Sequence, residues 1–263
     1  MMRMRWDRIL AVARKDWMEA LRGTWMIAPS AFLIVYFGLI LPAILIYAAK
    51  VTGEVFIPVN IPLPLKIEGE LAKSLYFAFQ AVVPLIFLVI PLAISTILAA
   101  DGFAGERERG TLELLLAAPL DERELLLGKV LAALVPGIVS SWLTFILMVP
   151  TVNILTYDIF TGPWFPPGPE WFIIVFLISP LYSFLAVAIT CALSSKVKSV
   201  KEAQQGAGIL IIPLLVVVLA QVFWGMSVGA EGLIAASLLL GGVDAMMVLA
   251  LPRLFRGIKY MLE

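Results

Sequence analysis

Six apolar runs dominate this chain, at roughly 26–49, 75–99, 124–149, 171–193, 205–224 and 232–251. In the core of a bilayer every backbone amide and carbonyl must find its partner inside the protein, which only helices and closed barrels achieve. A helix needs about 20 apolar residues to cross, and these runs are too long and continuous for the alternating strands of a barrel. Composition agrees: 62% of the 263 residues are hydrophobic and 14% are charged, against about 45–50% and about 25% in soluble domains. The sequence therefore predicts an all-α membrane protein with six transmembrane helices. One bundle spans 26–251, preceded by an interfacial segment, 1–25, and followed by a short tail, 252–263.

Charge placement sets the expected orientation. Of 19 basic residues, only Lys50, Lys66 and Lys73 follow the first run, on one side of the membrane. The others, among them Arg3, Arg5, Arg8, Arg14, Lys15 and Arg22 ahead of the first run, fall on the opposite side. By the positive-inside rule that side is cytoplasmic, as are both termini. The 19 acidic residues balance the basic ones, so nothing resembles the footprint of a nucleic-acid binder. With no histidine and only Cys191, an internal disulfide, a His-based metal site and a His-based catalytic triad are excluded. We expect no catalytic site and no metal site.

The N-terminal stretch carries Asp7, Asp16 and Glu19 and lacks a small-residue cleavage site, so it does not read as a signal peptide. Trp6, Leu10, Ala13, Trp17, Leu21 and Thr24 recur at spacings of three and four and share one helical face. Arg8, Lys15, Glu19 and Arg22 fall largely on the other side. This pattern predicts an amphipathic helix lying in the membrane interface with lipid as its partner. On the outer side, Pro58, Pro62 and Pro64 and the segment Gly162–Pro169 predict rigid turns. Tyr47, Tyr76, Trp164, Trp171 and Trp224 are expected at the outer interface. Pro42, Pro84, Pro91, Pro136, Pro180 and Pro213 each remove an amide donor and either bend their helices or are simply tolerated, as membrane helices tolerate proline.

Between the second and third runs the spacing predicts a short helix over 106–117, charged first and leucine-rich later, ended by Pro119. Asp121 and Glu124 then form a capping-box pattern for the third span, with Leu120 and Leu125 at the staple positions. Residues 105–129, Gly-Glu-Arg-Glu-Arg-Gly-Thr-Leu-Glu-Leu-Leu-Leu-Ala-Ala-Pro-Leu-(x)3-Glu-Leu-Leu-Leu-Gly-Lys, closely resemble the hallmark of ABC type-2 transporter permeases, the membrane subunits of ATP-driven exporters. The amphipathic N-terminal segment, the six runs and the segment 195–205 fit the same pattern.

The resemblance implies that the loop carries a cytoplasmic coupling helix seated in a partner ATPase. It assigns ATPase coupling to Glu106, Glu108, Arg109, Thr111, Leu112, Leu115 and Leu116, with a smaller contact at Lys198 and Lys201. Trp6, Leu10 and Trp17 fall in the connecting helix, which the glutamates help to hold against the coupling helix. It further implies two ATPase subunits, a second permease forming a homo- or heterodimer, ATP and Mg bound by the partner, and a prokaryotic cell membrane as the location. One departure stands out: the short re-entrant helices that relatives often place between the fifth and sixth spans have only about eight residues here.

The chain has no phosphate-binding loop of its own, since its only Gly-Lys pair, Gly128-Lys129, lacks the earlier glycine and the following Ser or Thr. It reads as a transport subunit rather than an enzyme. Asp244 is the only carboxylate deep within a run, and an intramembrane ionisable group is a functional candidate by default. Asp244, Gln80 and Thr144 are the candidates for a transport path; packing against a neighbouring helix accounts for them as well. A stand-alone secondary carrier or channel is the alternative, and would call for internal repeats and midplane charges that the sequence does not display.

Overall fold

The computed structural model describes residues 5–53, 69–111, 121–194, 196–197, 199–224 and 228–255, and among these there is helix but no strand. An N-terminal helix, Trp6–Arg22, precedes six helices long and apolar enough to cross a membrane: Ile27–Thr52, Glu70–Glu108, Arg123–Leu155, Glu170–Ser194, Val200–Phe223 and Ala230–Ala250. The second, third and fourth spans pack on one another and form the centre. The first span packs on the second and third, the fifth on the second, and the sixth on the fourth. Those three outer spans leave most of their apolar surface uncovered.

The core forms where rings from the third and fourth spans and from the turn between them interlock. Phe145 stacks on Trp171 at 5.7 Å, and Phe165 meets the same indole edge-on at 4.9 Å. Trp171 is fully buried and donates from Nε1 to the Phe79 carbonyl at 2.7 Å. It is thus a core residue and not the interfacial ring its position suggested. An indole can be buried wherever one acceptor meets its single N–H. Trp164 is half-buried, stacked on Phe160 at 4.2 Å, whereas Tyr47 is exposed. Asn153 ties the outer turn down, accepting from the amides of Trp164 and Phe165 and donating to the Phe165 carbonyl. The Trp224 ring, and the loop with Pro58, Pro62 and Pro64, lie outside the described part.

Proline shapes three spans by a particular route. Tyr36–Ile40, Ala78–Val82 and Ile174–Ile178 are π-helical turns, and each ends two residues before a proline: Pro42, Pro84 and Pro180. A proline offers no N–H to the carbonyl four residues back and crowds it with its ring. Those carbonyls belong to Gly38, Gln80 and Phe176, each inside the widened turn. The turn opens to relieve the crowding, as π-bulges do. A fourth π turn, Asp101–Gly105, has no proline after it and leads straight into Glu106.

The second and third spans are longer than their apolar runs. At about 1.5 Å per residue, the 39 residues of Glu70–Glu108 extend well beyond a hydrocarbon core of about 30 Å. The helix is continuous to Glu108, so Glu106–Glu108 end the second span rather than beginning a separate loop helix. Residues 112–120, where the rest of that helix was expected, lie outside the described part. The third span starts at Glu122 with the predicted capping box, Asp121 with Glu124, and runs 34 residues to Leu155. The fifth helix ends at Trp224 and the sixth begins at Ala230, so no separate re-entrant helix lies between them among the described residues.

Close approach at Gly128 lets the N-terminal helix reach the third span. A Cβ there would lie 2.7 Å from Val12 Cβ and 3.0 Å from the Ile9 carbonyl oxygen. Gly128→Ala should therefore cost about 1–3 kcal/mol through overpacking. Gly208→Ala, with nothing within 4 Å of its added carbon, should shift thermal unfolding little. Equal shifts for the two variants would contradict this packing.

Candidate functional site

Where the second span ends, charges from three distant segments converge. Glu106 is only 4% exposed. Its Oε1 accepts from Lys15 Nζ at 2.8 Å and lies 3.7 Å from Lys129 Nζ, while the Thr111 hydroxyl donates to Oε2. Lys129 is 2% exposed and also reaches Asp16 Oδ2 at 3.4 Å. Its ammonium stands 5.5 Å from the centre of the Phe103 ring, a cation–π contact that helps offset its burial. Lys15 touches Asp16 at 3.8 Å and Glu19 at 3.4 Å.

The local fold explains how Thr111 returns to Glu106. Gly110 has φ +68°, a left-handed conformation that glycine adopts without strain. Its N–H donates to the Arg107 carbonyl at 3.1 Å, and the Thr111 N–H to the Glu106 carbonyl at 2.9 Å. This pairing is a Schellman cap, and it folds the chain back over the last turn of the helix. Asp16, Glu19 and Glu106 bring carboxylate oxygens within 4.8 Å of one another, with Lys15 and Lys129 supplying the cations between them. Burial pushes the Asp16 carboxyl above its ordinary range, and Lys129 and Lys15 offset only part of that. Burial pulls Lys15 down, but hydrogen bonding to Glu106 and its charge outweigh that and hold the ammonium above its usual range.

The opposite face of the same helical end serves the fifth span. Arg107 donates to the Val197 carbonyl at 2.6 Å, and Glu108 Oε1 accepts from the Val200 amide at 2.9 Å. Ser199 Oγ accepts from the Glu202 amide at 3.2 Å, so Glu108 and Ser199 between them satisfy two of the free amides that start the Val200–Ala207 helix. The resemblance puts both glutamates on the connecting helix. The structure puts only Glu106 there and turns Glu108 to the loop between spans four and five. Arg109 is spent on its own helix, pairing with Asp101 at 2.9 and 3.2 Å. Glu124 has a second role, accepting from the Arg5 amide at 3.1 Å while capping the third span. Lys201 is exposed; Leu112, Leu115, Leu116 and Lys198 lie outside the described residues.

On the N-terminal helix, Trp6 and Leu10 are exposed, and Trp17 donates from Nε1 to the Ala132 carbonyl at 3.0 Å. A second apolar stripe, Ile9, Val12 and Ala13, is buried against the third span. The helix therefore has three faces: protein, apolar exposed and charged. Sequence reasoning missed Lys129, Lys15, Asp16 and Arg107 as site residues. For Lys129 a signal existed, because it sits within an apolar run as Asp244 does, and such charges demand partners.

The three path candidates are not joined by hydrogen bonds. The Thr144 hydroxyl donates to the Ser140 carbonyl of its own helix at 2.8 Å. Gln80 lies in the second π turn, and its Oε1 has no partner among the described residues. Asp244 is 6% exposed, and neither carboxylate oxygen has a partner among the described residues.

Removing one member of a buried ionic cluster leaves the others uncompensated. Lys129→Met should lower stability by about 3–5 kcal/mol, and adding Asp16→Asn should recover part of the loss. Thermal unfolding of the single and double variants tests this; a neutral Lys129→Met would remove the cluster from the account.

Over residues 10–237 the chain matches the family described as ABC-2 family transporter protein. It is 32% identical over 152 residues to the probable ABC transporter permease protein NosY of Pseudomonas aeruginosa. That match covers 55% of this chain and 48% of the relative, so the chain spans about half the length of the curated relative. The family match takes in the N-terminal helix from Leu10, the charged end of the second span and the capped start of the third. The chain belongs to the ABC-2 family of transporter proteins.

Proposed function

We propose that the chain is the permease of an exporter powered by a separate ATPase, moving a substrate out of the cytoplasm. The observation that carries this reading is the fork at Glu106 and Glu108. One glutamate ties the end of the second span to the N-terminal helix and the third span; the other ties it to the start of the fifth. A push on the segment that follows, residues 112–116, would reach four elements through short polar contacts. In this reading the charged side is cytoplasmic, as are both termini, and Leu112, Leu115 and Leu116 enter a groove of the ATPase. The partner binds ATP and Mg and closes on ATP; the two coupling segments move inward together and the bundle opens outward.

A working unit has two permeases and two ATPases in a prokaryotic cell membrane. The uncovered apolar faces of the first, fifth and sixth spans provide the surface on which a second permease would pack. Asp244, buried with no partner for its carboxylate among the described residues, is the residue we place on the substrate path.

Co-expression with the ATPase tests the coupling. Leu112→Asp or Leu115→Asp removes an apolar anchor, which at about 2 kcal/mol or more weakens ATPase association roughly 30-fold. Glu106→Gln keeps association and lowers permease-dependent ATP hydrolysis. Wild-type association and hydrolysis in all three variants would end the coupling reading. ATP hydrolysis by the purified chain alone would end the separate-ATPase reading.

A further inference from the structure

One turn of the second span takes hydrogen bonds from two of its neighbours. In the π turn Ala78–Val82, the Val83 N–H returns five residues to the Ala78 carbonyl. The next residue, Pro84, has no N–H to give. The Phe79 carbonyl is therefore left without a helical partner, and Trp171 of the fourth span donates to it. Two residues on, the Ala81 carbonyl accepts from the side-chain amide of Gln221 in the fifth span at 2.8 Å, the amide nitrogen being turned toward it. The Gln221 amide oxygen then accepts from the Val228 N–H at 3.2 Å.

Gln221 is only 4% exposed, and burying an amide is costly unless it is hydrogen-bonded. Its second bond reaches the sixth span. Val228 stands two residues before the helix that begins at Ala230, and Leu233 is the fourth residue of that helix, which is the spacing of a hydrophobic staple. Both side chains pack in the large apolar core. One side chain thus fastens the end of the fifth span and the start of the sixth to the second. The fifth span is also tied to the second at its other end, about 30 Å along the helix. There Glu108 accepts from the Val200 amide and Arg107 donates to the Val197 carbonyl. The two ties differ in kind. Bonds that carry a charge are roughly twice as strong as neutral ones, and both bonds of Gln221 are neutral. A force that parts the two spans opens the Gln221 end first.

We propose that Gln221 is a latch that closes the fifth and sixth spans onto the second at the end away from the charged cluster. Its two hydrogen bonds break when that end opens, while the tie at Glu108 holds and serves as the pivot. The inference rests on the export reading only in taking that end as outward-facing; the latch itself is a property of the chain alone.

Hydrogen exchange of the full chain in detergent, read by mass spectrometry, tests the latch with no ATPase present. Failure here leaves the proposed function standing, and a failure of ATP coupling leaves the latch standing. Gln221→Leu keeps the bulk of the side chain and removes both bonds. Exchange over residues 228–236 should then quicken roughly tenfold, the effect of losing a buried hydrogen bond. The amides of Val200–Ala207 and of the fourth span should not change. Gln221→Glu offers the same donor and acceptor only while its carboxyl is protonated. Corrected for intrinsic exchange, its protection over 228–236 should match the wild type in acid and fall as the pH rises. Wild-type exchange in Gln221→Leu would mean that only the volume of the side chain matters, and would overturn the proposal. Faster exchange throughout the fourth and fifth spans would make Gln221 a support of the whole fold and overturn it as well. Should Gln221→Leu fail to fold, Gln221→Glu decides: protection that does not change with pH overturns the latch.

Discussion

The carboxylate of Glu106, held between Lys15, Lys129 and Thr111, is the contact on which the rest of the arrangement depends. Burying charge is costly, and a cluster of this kind gains little net stability over an apolar core of the same shape. What it supplies is register. Lys15 is 91 residues from Glu106 in sequence, and no apolar surface would fix their alignment as tightly as an ion pair of 2.8 Å does. Breaking it leaves the buried Glu106 carboxylate without its closest cation, so alternative seatings of the N-terminal helix are penalised. The pairs Lys50–Asp158 and Lys73–Glu70 have similar distances, but their carboxylates are far more exposed than that of Glu106. Screening leaves such pairs worth about 0–1 kcal/mol.

Around that anchor the chain uses backbone geometry to bring the partners within reach. A π turn at Asp101–Gly105 precedes Glu106, and a glycine cap at Gly110 returns Thr111 to it. Gly128 lets the N-terminal helix approach closely enough for Lys15 and Asp16 to face the end of the second span. On the other flank, Glu108 stands in for the missing carbonyl partner at the start of the fifth helix. Each contact is short and satisfies a group that would otherwise be unpaired. Such a junction transmits displacement between the helices it joins instead of absorbing it.

Much of this was legible in the residues. The six spans follow from apolar length, and the start of the third from Asp121 and Glu124, because both signals are local. The prolines marked where three helices would be disturbed, but not that the disturbance would be a π turn, since that depends on how neighbours confine the helix. Trp171 was misplaced because an indole near the end of an apolar run reads as interfacial; only the fold reveals the Phe79 carbonyl that lets it be buried. The ionic cluster was hidden for the same reason. Periodicity within Trp6–Arg22 separates charged from apolar faces, but it does not say that Lys15 and Asp16 meet residues from two other helices. The extension of the second span to Glu108 was obscured by the charges at 106–109, which read as the start of a separate helix until their partners are known.

The central claim is that Glu106 holds the N-terminal helix in place from the far end of the second span. Hydrogen exchange of the amides in Trp6–Arg22, followed by mass spectrometry in the full-length chain, reads that hold directly. Comparing wild type with Glu106→Gln, the account predicts faster exchange across the N-terminal helix in the variant, with the amides of the fourth span unchanged. Identical exchange in the N-terminal helix of the two proteins would contradict it.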